Sequence, residues 1–215
     1  MNVYDLGFSK DCQKIWDFQK AKLSQRIEGK TSDSLILVEH DHVITLGRSS
    51  HPENVLTNDL PIFEIERGGD ATYHGPGQLV IYPIISLEQR GISVRKLVET
   101  LESVIIHTIA DFGIKDAKGL LGKETGVWVG KRKIASIGVA VSHWVSFHGV
   151  ALNVNTDLSY FQKIRPCGYE PSIMTSMRSE LSLYWIDMNK VKETVLKSFG
   201  NHLSVELTYQ SEKIG

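Results

Sequence analysis

Three stretches of the chain repeat apolar residues at the spacing of an amphipathic helix. The first runs from about Ser9, a candidate N-cap, to Gly29, a candidate stop. The second lies between Ser93 and Gly113, and the third begins after Asp187. The apolar stripe of the second consists of Val94, Leu97, Val98, Leu101, Val104, Ile105 and Ile109. The pattern therefore predicts three main helices.

Shorter apolar or alternating runs predict strands around these helices. The runs are 35–38, 43–46, 62–66, 79–85, 127–129, 134 onward, 145–147, 151–154 and 204–209. Gly130 and the basic residues after it predict a hairpin turn, and Pro83 predicts an edge or an end position for its strand. Because strands and helices do not alternate regularly, we expect one α+β (mixed α/β) domain over residues 1–215, with a small C-terminal subregion after about residue 176.

Composition narrows the class of protein. The 215 residues carry 24 Lys and Arg against 25 Asp and Glu, a formal charge of −1 that argues against a nucleic-acid partner. Two cysteines are too few for a disulfide framework or a structural zinc site. There is no signal-peptide pattern and no apolar run near the ~20 residues that span a bilayer. We expect a cytoplasmic protein without a membrane partner, either an enzyme or a binding module.

A glycine-rich segment between two predicted strands is the densest chemical signal. It reads Arg67-Gly-Gly-Asp-Ala-Thr-Tyr-His-Gly-Pro-Gly-Gln78. Its glycines allow close backbone approach to a ligand, and its interleaved polar side chains exceed what a plain turn needs. The spacing does not match a nucleotide-binding fingerprint. The segment predicts a binding loop, with an ordinary polar hairpin loop as the alternative.

Two further residues could carry chemistry. Lys133 stands directly before the apolar run that starts at Ile134, although a lysine at a strand end more commonly reaches solvent along its stem. Cys167 lies between Pro166 and Gly168 in a predicted turn, which would present its thiol, although most unpaired cysteines are buried and inert. The other cysteine, at position 12, lies on the apolar stripe of the first helix, and we assign it to the core.

The histidines do not form a metal-binding pattern. Neither of the two close pairs, His40 with His42 and His143 with His148, has the spacing of a zinc motif, so no metal site is predicted. His74 and His148 are each followed by glycine, which makes them the best candidates for a pocket wall.

Taken together, these segments resemble the lipoate-protein octanoyltransferase family. The resemblance rests on the segment from Arg67 to Tyr82 and on four further motifs in the same order. These are Gly126-Val-Trp-Val129, Lys133-Ile-Ala-Ser-Ile-Gly138, His148-Gly-Val-Ala-Leu-Asn-Val154 and Pro166-Cys-Gly168, followed by Thr175-Ser176. The match extends from about Glu39 to Ser176.

The resemblance implies a fold and a reaction. The fold is that of the biotin/lipoate ligase catalytic domain, a mixed β-sheet flanked by helices. Octanoyl-acyl carrier protein would acylate Cys167, and Lys133 would lower the cysteine pKa and serve as a base. The acyl group would then pass to a lysine of a lipoyl domain, in a 2-oxoacid dehydrogenase E2 subunit or the glycine cleavage H protein. The implied enzyme is a monomer without a cofactor.

The resemblance also implies which residues bind the acyl substrate. These are Arg67, Gly68, Gly69, Asp70, Ala71, Thr72, Tyr73, His74, Ser136, Ile137, Gly138, Gly149, Val150 and Ala151.

Physical requirements of such a reaction suggest a few more roles. An octanoyl chain needs a narrow apolar groove, for which Val139, Ala140, Val150 and Ala151 are candidate walls. Backbone amides of 136–138 could face the thioester oxygen. A basic patch for an acidic carrier protein could include Arg48, Lys131, Arg132, Lys163 and Arg165, each of which could equally be a solvated surface charge.

Three alternatives remain open from the sequence. An ATP-dependent lipoate–protein ligase shares the implied fold but does not need a cysteine at position 167. An amidotransferase that moves octanoyl between lipoyl-type proteins would share both the fold and the cysteine chemistry. A non-catalytic scaffold for carrier or lipoyl proteins would have no use for Cys167 and Lys133.

Overall fold

The computed structural model describes residues 1–9 and 11–211, apart from the side chains of Lys123 and Cys167. The strands of this part are β1 (Asn2–Ser9), β2 (Ser34–His40), β3 (Val43–Leu46), β4 (Ile62–Glu64), β5 (Thr72–His74), β6 (Gln78–Ile84), β7 (Ala117–Leu120), β8 (Gly126–Val129), β9 (Arg132–Ser142), β10 (Val145–Asn153) and β11 (Thr208–Tyr209). The helices are α1 (Cys12–Ile27), α2 (Leu87–Arg90), α3 (Val94–Asp111), α4 (Met177–Glu180) and α5 (Met188–Leu203).

The strands form two sheets. Eight of them build one sheet in the order β11-β1-β2-β6-β10-β9-β8-β7, and three build a second in the order β4-β3-β5. In the large sheet β1 runs parallel to β2 and β11, whereas the pairs from β2 through β7 are antiparallel. This mixed sheet with flanking helices confirms the predicted α+β class.

Side-chain alternation along the strands divides the core of the large sheet between its two faces. In β2, Leu35 and Leu37 join a cluster that includes the apolar stripes of α3 and α5. Ile36 and Val38 join a second cluster that includes Ile15 of α1. Because β2 is covered on both sides, it reads in sequence as a continuous apolar run instead of an alternating one.

The helix boundaries confirm the predicted starts of the second and third helices and correct the predicted cap of the first. Ser93 accepts a hydrogen bond from the Lys96 amide at the start of α3, and Asp187 caps α5. The first helix is capped by Asp11, and Ser9 instead ends β1. The strand β1 was not predicted, because it depends on pairing with β2 and with β11, at the opposite end of the chain.

Other features of the strands, and one of α1, can be set against the predictions. The runs 145–147 and 151–154 belong to one strand, β10, which continues through His148 with a left-handed φ of 56°. Two short strands, β5 and β7, were also not predicted. Pro83 lies near the end of its strand, as expected, but β6 is central instead of an edge. Cys12 is half-buried instead of a core residue.

A buried carboxylate, Asp33, connects the start of β2 to the end of α1 and to both ends of α2. Asp33 accepts hydrogen bonds from Arg26 Nε at 2.8 Å, Arg90 Nε at 2.6 Å and the Ser86 amide at 2.9 Å. Asp33 is 7% exposed, and two guanidinium groups therefore share one buried counter-ion.

We predict that Asp33→Ala lowers the free energy of unfolding by about 3–5 kcal/mol, because it leaves buried positive charge uncompensated. Urea denaturation measures this. Asp17→Ala, which removes an exposed partner of Lys20, is the control and should change stability little. Equal effects of the two substitutions would contradict the buried-charge argument.

Candidate functional site

A cavity of about 220 Å³ lies where the 65–74 segment crosses β9 and β10. Polar side chains on its lining come from Arg67, Asp70, Thr72, His74, Tyr82, Thr125, Lys133, Ser136 and His148. Apolar side chains come from Ile65, Ala71, Val80, Val98, Ile137, Val139, Val150, Ala151 and Pro166. The cavity thus combines an apolar wall with a limited set of polar groups, as small-molecule sites do.

The 67–69 turn is held against β9 and β3 by its own backbone and by a buried guanidinium. The Gly68 amide donates to the Val139 carbonyl at 3.0 Å. Arg67, 7% exposed, donates through Nη2 to the Thr45 carbonyl at 2.6 Å and hydroxyl at 3.0 Å. Arg67 therefore holds the loop in place over the cavity.

Asp70 closes the same segment from its other end. Its carboxylate accepts from the Ala71 amide at 2.7 Å, from the His51 amide at 3.3 Å and from the side-chain amide of Asn54. Because carboxylate oxygens satisfy several donors at once, this buried side chain fixes the path of the chain into β5.

Two facing glycines make room for backbone, Gly138 for the loop and Gly149 for the neighbouring strand β6. Gly138 of β9 pairs with Gly149 of β10. A Cβ atom at Gly138 would lie 2.8 Å from the Gly68 carbonyl oxygen, and one at Gly149 would lie 2.1 Å from the Ile81 carbonyl oxygen. Neither position tolerates a side chain without displacement of backbone.

Most of the predicted acyl-binding residues line this one cavity, and Tyr73 is the exception. In β5 the side chains of Thr72 and His74 face the cavity, so strand alternation turns Tyr73 to the opposite side. There it stacks on Tyr160, with ring centroids 5.3 Å apart, and packs on Phe161. Tyr73 therefore belongs to the core of the small sheet.

Of the four residues predicted to form the cavity wall, Ala140 does not line the cavity. Val139, Val150 and Ala151 line the cavity, whereas Ala140 packs in the cluster under α1. The backbone of 136–138 pairs with β10, and β8 pairs with β9 only up to Ser136. A substrate oxygen could reach these amides only from the side of β9 that β8 leaves uncovered.

Three buried histidines are held neutral, and two of them, His74 and His148, line the cavity. Burial lowers the pKa of His40 to about 4 and that of His74 to about 3. Burial also lowers the pKa of His148 to about 4, against the opposing effect of Glu66. His40 and His74 have neutral hydrogen-bond partners. His40 Nε2 lies 2.8 Å from the Tyr82 hydroxyl, and His74 Nδ1 lies 2.7 Å from Gln78 Oε1.

The remaining residues of the glycine-rich motif build the turn behind the cavity. Gln78 donates to Asn153 Oδ1 at 2.9 Å, which links the start of β6 to the end of β10. Gly77 has a φ of 78°, and a Cβ there would lie 2.8 Å from the backbone of Asn155. These residues position the motif and do not line the cavity.

Lys133 is buried in the wall of the cavity. It is 6% exposed, and its Nζ lies 5.5 Å from the centroid of the Trp128 ring. Gly126 makes room for it, since a Cβ there would lie 2.7 Å from Lys133 Cε. From the sequence, a side chain that reaches solvent was the favoured prediction for this lysine. The structure shows it buried instead.

The segment that carries Cys167 is joined to Lys133 through the backbone. Pro166–Gly168 form a 3-10 turn, and Pro166 lines the cavity together with Lys133. Seven residues after Cys167, Met174 forms a parallel bridge with Lys133, and the Thr175 amide donates to the Lys133 carbonyl at 2.9 Å. The side chain of Cys167 itself lies outside the described part of the chain.

The candidate basic patch is partly neutralised. Arg132 pairs with Glu180 at 2.8 Å and Lys163 pairs with Asp59 at 2.7 Å. Arg48, Lys131 and Arg165 are exposed.

Several lining residues were not predicted from sequence. Val80 and Tyr82 of β6, Val98 of α3, and Thr125 reach the cavity only because the sheet order and the α3 packing bring them there. Their apolar spacing indicated burial but not which space they would face. His148, singled out by its following glycine, does line the cavity.

Two kinds of feature are absent from residues 1–9 and 11–211. These residues contain no cluster of three or more His, Cys, Asp or Glu side chains arranged to hold a metal ion. No helix in the same ranges is long and apolar enough to cross a membrane.

Comparison with known proteins gives relatives for this site. A family model described as lipoyl protein ligase A/B catalytic domain matches residues 11–200. The octanoyltransferase of Syntrophobacter fumaroxidans is 47% identical over 174 residues, covering 78% of this chain and 75% of that protein. The octanoyltransferase of Christiangramia forsetii is 39% identical over an alignment of 233 residues that covers 98% of each chain.

Solved structures with the same fold are more distant in sequence. Lipoate-protein ligase A bound with ATP superposes with a TM-score of 0.75 at 16% identity, covering 100% of this chain and 90% of that one. Biotin protein ligase from Aquifex aeolicus, in complex with biotin and ATP, has a TM-score of 0.56 at 12% identity, covering 94% and 70%. At these identities the likeness concerns the fold.

We predict that the three neutral histidines make the protein less stable as the pH falls from about 6.5 to 4.5. Between the ordinary histidine pKa of 6.5 and the lowered folded values, the unfolded chain binds protons that the native chain does not. Each such proton lowers the free energy of unfolding by about 1.4 kcal/mol per pH unit. Urea denaturation at several pH values measures the slope.

The variant His40→Gln should reduce this slope by about one proton's share, because it removes one of the three groups. Imidazole resonances of His40, His74 and His148 that titrate near pH 6.5 in the folded protein would contradict the prediction.

Proposed function

Because the chain belongs to the lipoyl protein ligase A/B catalytic domain family, we propose that it is an octanoyltransferase of protein lipoylation. It moves an octanoyl group from octanoyl-acyl carrier protein, through a thioester on Cys167, to the lysine of a lipoyl domain. Relatives named octanoyltransferase, 47% and 39% identical to this chain, support the reaction class. The observation that carries the mechanism is the burial of Lys133 in a cavity that Pro166, next to Cys167, also lines.

The burial of Lys133 is unfavourable for stability, and a functional role would explain why it is buried. An ammonium group removed from water is destabilising unless it is paired or neutralised. The backbone of Lys133 is bonded to residues 174–175, and its side chain lies buried against Trp128 and Gly126. A thiolate on the neighbouring Cys167 segment is the partner that we propose.

The proposed reaction has two balanced steps. The Cys167 thiolate attacks the octanoyl carbonyl carbon, the bond to the carrier sulfur breaks, and that sulfur takes a proton from the Lys133 ammonium. The acceptor lysine amine then attacks the acyl-cysteine carbonyl, its proton passes to Lys133, and the Cys167 sulfur leaves as thiolate. The first step exchanges one thioester for another, and the second forms the more stable amide.

The cavity suits an acyl chain better than a nucleotide. Its apolar walls include Val80, Ile137, Val150 and Ala151, and His74 and His148 on its lining are neutral. A hydrocarbon chain entering such a cavity gains from removal of its surface from water. The residues proposed to bind the acyl group are 67–72, His74, 136–138 and 149–151, without Tyr73.

We further propose that the chain acts as one domain and as a monomer in the cytoplasm. Its acceptors would be the lipoyl domains of 2-oxoacid dehydrogenase E2 subunits and the glycine cleavage H protein. The reaction needs no cofactor, because the octanoyl group arrives already activated as a thioester.

We predict that octanoyl-acyl carrier protein, mixed with the enzyme without ATP, leaves one hydroxylamine-sensitive octanoyl adduct on Cys167, seen by intact mass. Cys167→Ala should abolish the adduct. Cys12→Ala is the matched control and should retain it, because burial and the neighbouring Asp11 raise the pKa of Cys12 to about 11. An adduct that persists in Cys167→Ala would exclude the mechanism, and acylation that needs ATP and free octanoate would indicate a ligase.

We predict that Lys133→Met slows both acylation and transfer by about 10²–10⁴-fold, the usual contribution of a positioned acid–base group. Lys190→Met, at an exposed position of α5 outside the cavity and the candidate basic patch, is the control and should leave both rates near wild type. Rates measured by quenched mass spectrometry that are equal in the two variants would remove Lys133 from the reaction.

A further inference from the structure

We propose that Trp128 of β8 is a positioning residue whose ring joins Lys133 to the turn that carries Cys167. The inference rests on the proposed function, because it concerns the alignment of the two residues proposed to react. Trp128 is 4% exposed and is not part of the cavity lining, so substrate would not touch it. Its motif contributes to the family resemblance, which assigns no role to the tryptophan.

The first contact of the ring is with Lys133. Trp128 and Lys133 are directly opposite each other in the register of β8 and β9, so their side chains lie on one face of the sheet. Lys133 Nζ lies over the indole, 5.5 Å from the ring centroid. The face of an aromatic ring carries negative potential, and its attraction for an ammonium group is strongest where water is excluded. Trp128 therefore favours the charged form of Lys133 at a buried position.

The second contact is with Tyr169, the residue that follows the turn Pro166–Gly168, here called the cysteine turn. The Tyr169 amide donates to the Pro166 carbonyl at 3.1 Å, which closes this turn. The Tyr169 ring meets the Trp128 ring edge to face, with the centroids 6.4 Å apart and an interplanar angle of 79°. This is a favoured geometry for an aromatic pair. One buried ring is thus in contact with Lys133 and with the end of the cysteine turn.

The orientation of the indole is fixed by the turn before β8. Its Nε1 donates to the Glu124 carbonyl at 2.8 Å, and Glu124 Oε1 accepts from the Tyr169 hydroxyl at 3.4 Å. Glu124 belongs to the short turn Gly122–Glu124, which reaches the cavity at Gly122. The turn before β8, β8 itself and the cysteine turn therefore meet around Trp128.

The consequence for the reaction concerns both the charge and the position of the amine. In the proposed mechanism the Lys133 ammonium favours the Cys167 thiolate and then gives its proton to the leaving sulfur. A ring that attracts the ammonium holds this charge in place, and the same ring limits the movement of the cysteine turn. The backbone link to 174–175 fixes the strand of Lys133, whereas Trp128 fixes its side chain. Small errors in such alignment lower rates strongly.

The first test measures the effect of the ring on Lys133 without using activity. A polyfluorinated tryptophan is incorporated at position 128 of Cys167→Ala, in which no thiol titrates beside the amine. Fluorine withdraws electron density from the ring face while the ring keeps its shape and its N–H donor. The pKa of Lys133 is read by NMR with ¹³C-labelled lysine. We expect the fluorinated ring to lower this pKa, because the ammonium form loses attraction.

The matched control is the same fluorinated residue at position 185, because Trp185 is 60% exposed. It should leave the Lys133 pKa at the value of the unfluorinated protein. Because the fluorinated ring keeps its size, loss of packing would not explain a change at position 128. A Lys133 pKa that does not fall when position 128 is fluorinated would overturn the inference.

The second test measures the consequence for the reaction. Trp128→Leu should lower kcat for acylation and transfer by about tenfold, the order expected of a cation–π contact away from water. KM should change little, because the ring is outside the cavity. Trp128→Phe keeps an aromatic face and should recover most of the rate. A Trp128→Phe enzyme as slow as Trp128→Leu would contradict the role, and if Trp128→Leu does not fold, the fluorinated protein still decides.

The third test measures the link to the cysteine turn. Tyr169→Leu removes the edge-to-face contact and should also lower kcat. If the two rings act together, the loss in the double variant with Trp128→Leu is smaller than the product of the two single losses, since residues in contact are not additive. Losses that simply multiply would show that the rings act independently and would overturn the link.

These outcomes separate the inference from the proposed function. A wild-type protein that transfers no octanoyl overturns the function, whatever the Lys133 titration shows. A wild-type protein that transfers octanoyl, while its Lys133 pKa does not respond to fluorination at position 128, overturns only the inference.

Discussion

The contact between two glycines on neighbouring strands is the constraint on which the candidate site depends. Gly138 and Gly149 face each other across β9 and β10, and a side chain at either would meet backbone atoms at 2.8 Å or less. Because Gly138 has no side chain, the 67–69 turn lies directly on the sheet, where the Gly68 amide donates to the Val139 carbonyl. Gly149 instead leaves room for the backbone of β6 at Ile81. The cavity is the space enclosed between that turn and the sheet, and its shape follows from backbone contacts that small movements of side chains cannot relieve.

The polar groups around this space divide into those that hold it open and those that face it with chemistry. Arg67, Asp70 and Gln78 form hydrogen bonds within the protein, to Thr45, Asn54 and Asn153 respectively. The histidines are neutral because burial disfavours their charged forms. A site built this way is preorganised. The free energy needed to bury and orient its polar groups is part of folding and does not oppose substrate binding.

Lys133 is a buried cation in the wall of this cavity. It occupies the space that Gly126 leaves on β8, which keeps it away from water. Reduced solvent screening strengthens the interaction of such a charge with charges near it.

Local spacing and capping were enough to predict the α+β class, the hairpin at Gly130 and two of the three helix starts. The sequence also showed Lys133 and Cys167 in motifs that resemble one enzyme family. The burial of Lys133, the orientation of Tyr73 away from the cavity, and the pairing of β1 with β11 from the far end of the chain could not be predicted in this way. Those outcomes depend on which strand lies beside which, and residues distant in sequence meet only when the sheet has formed.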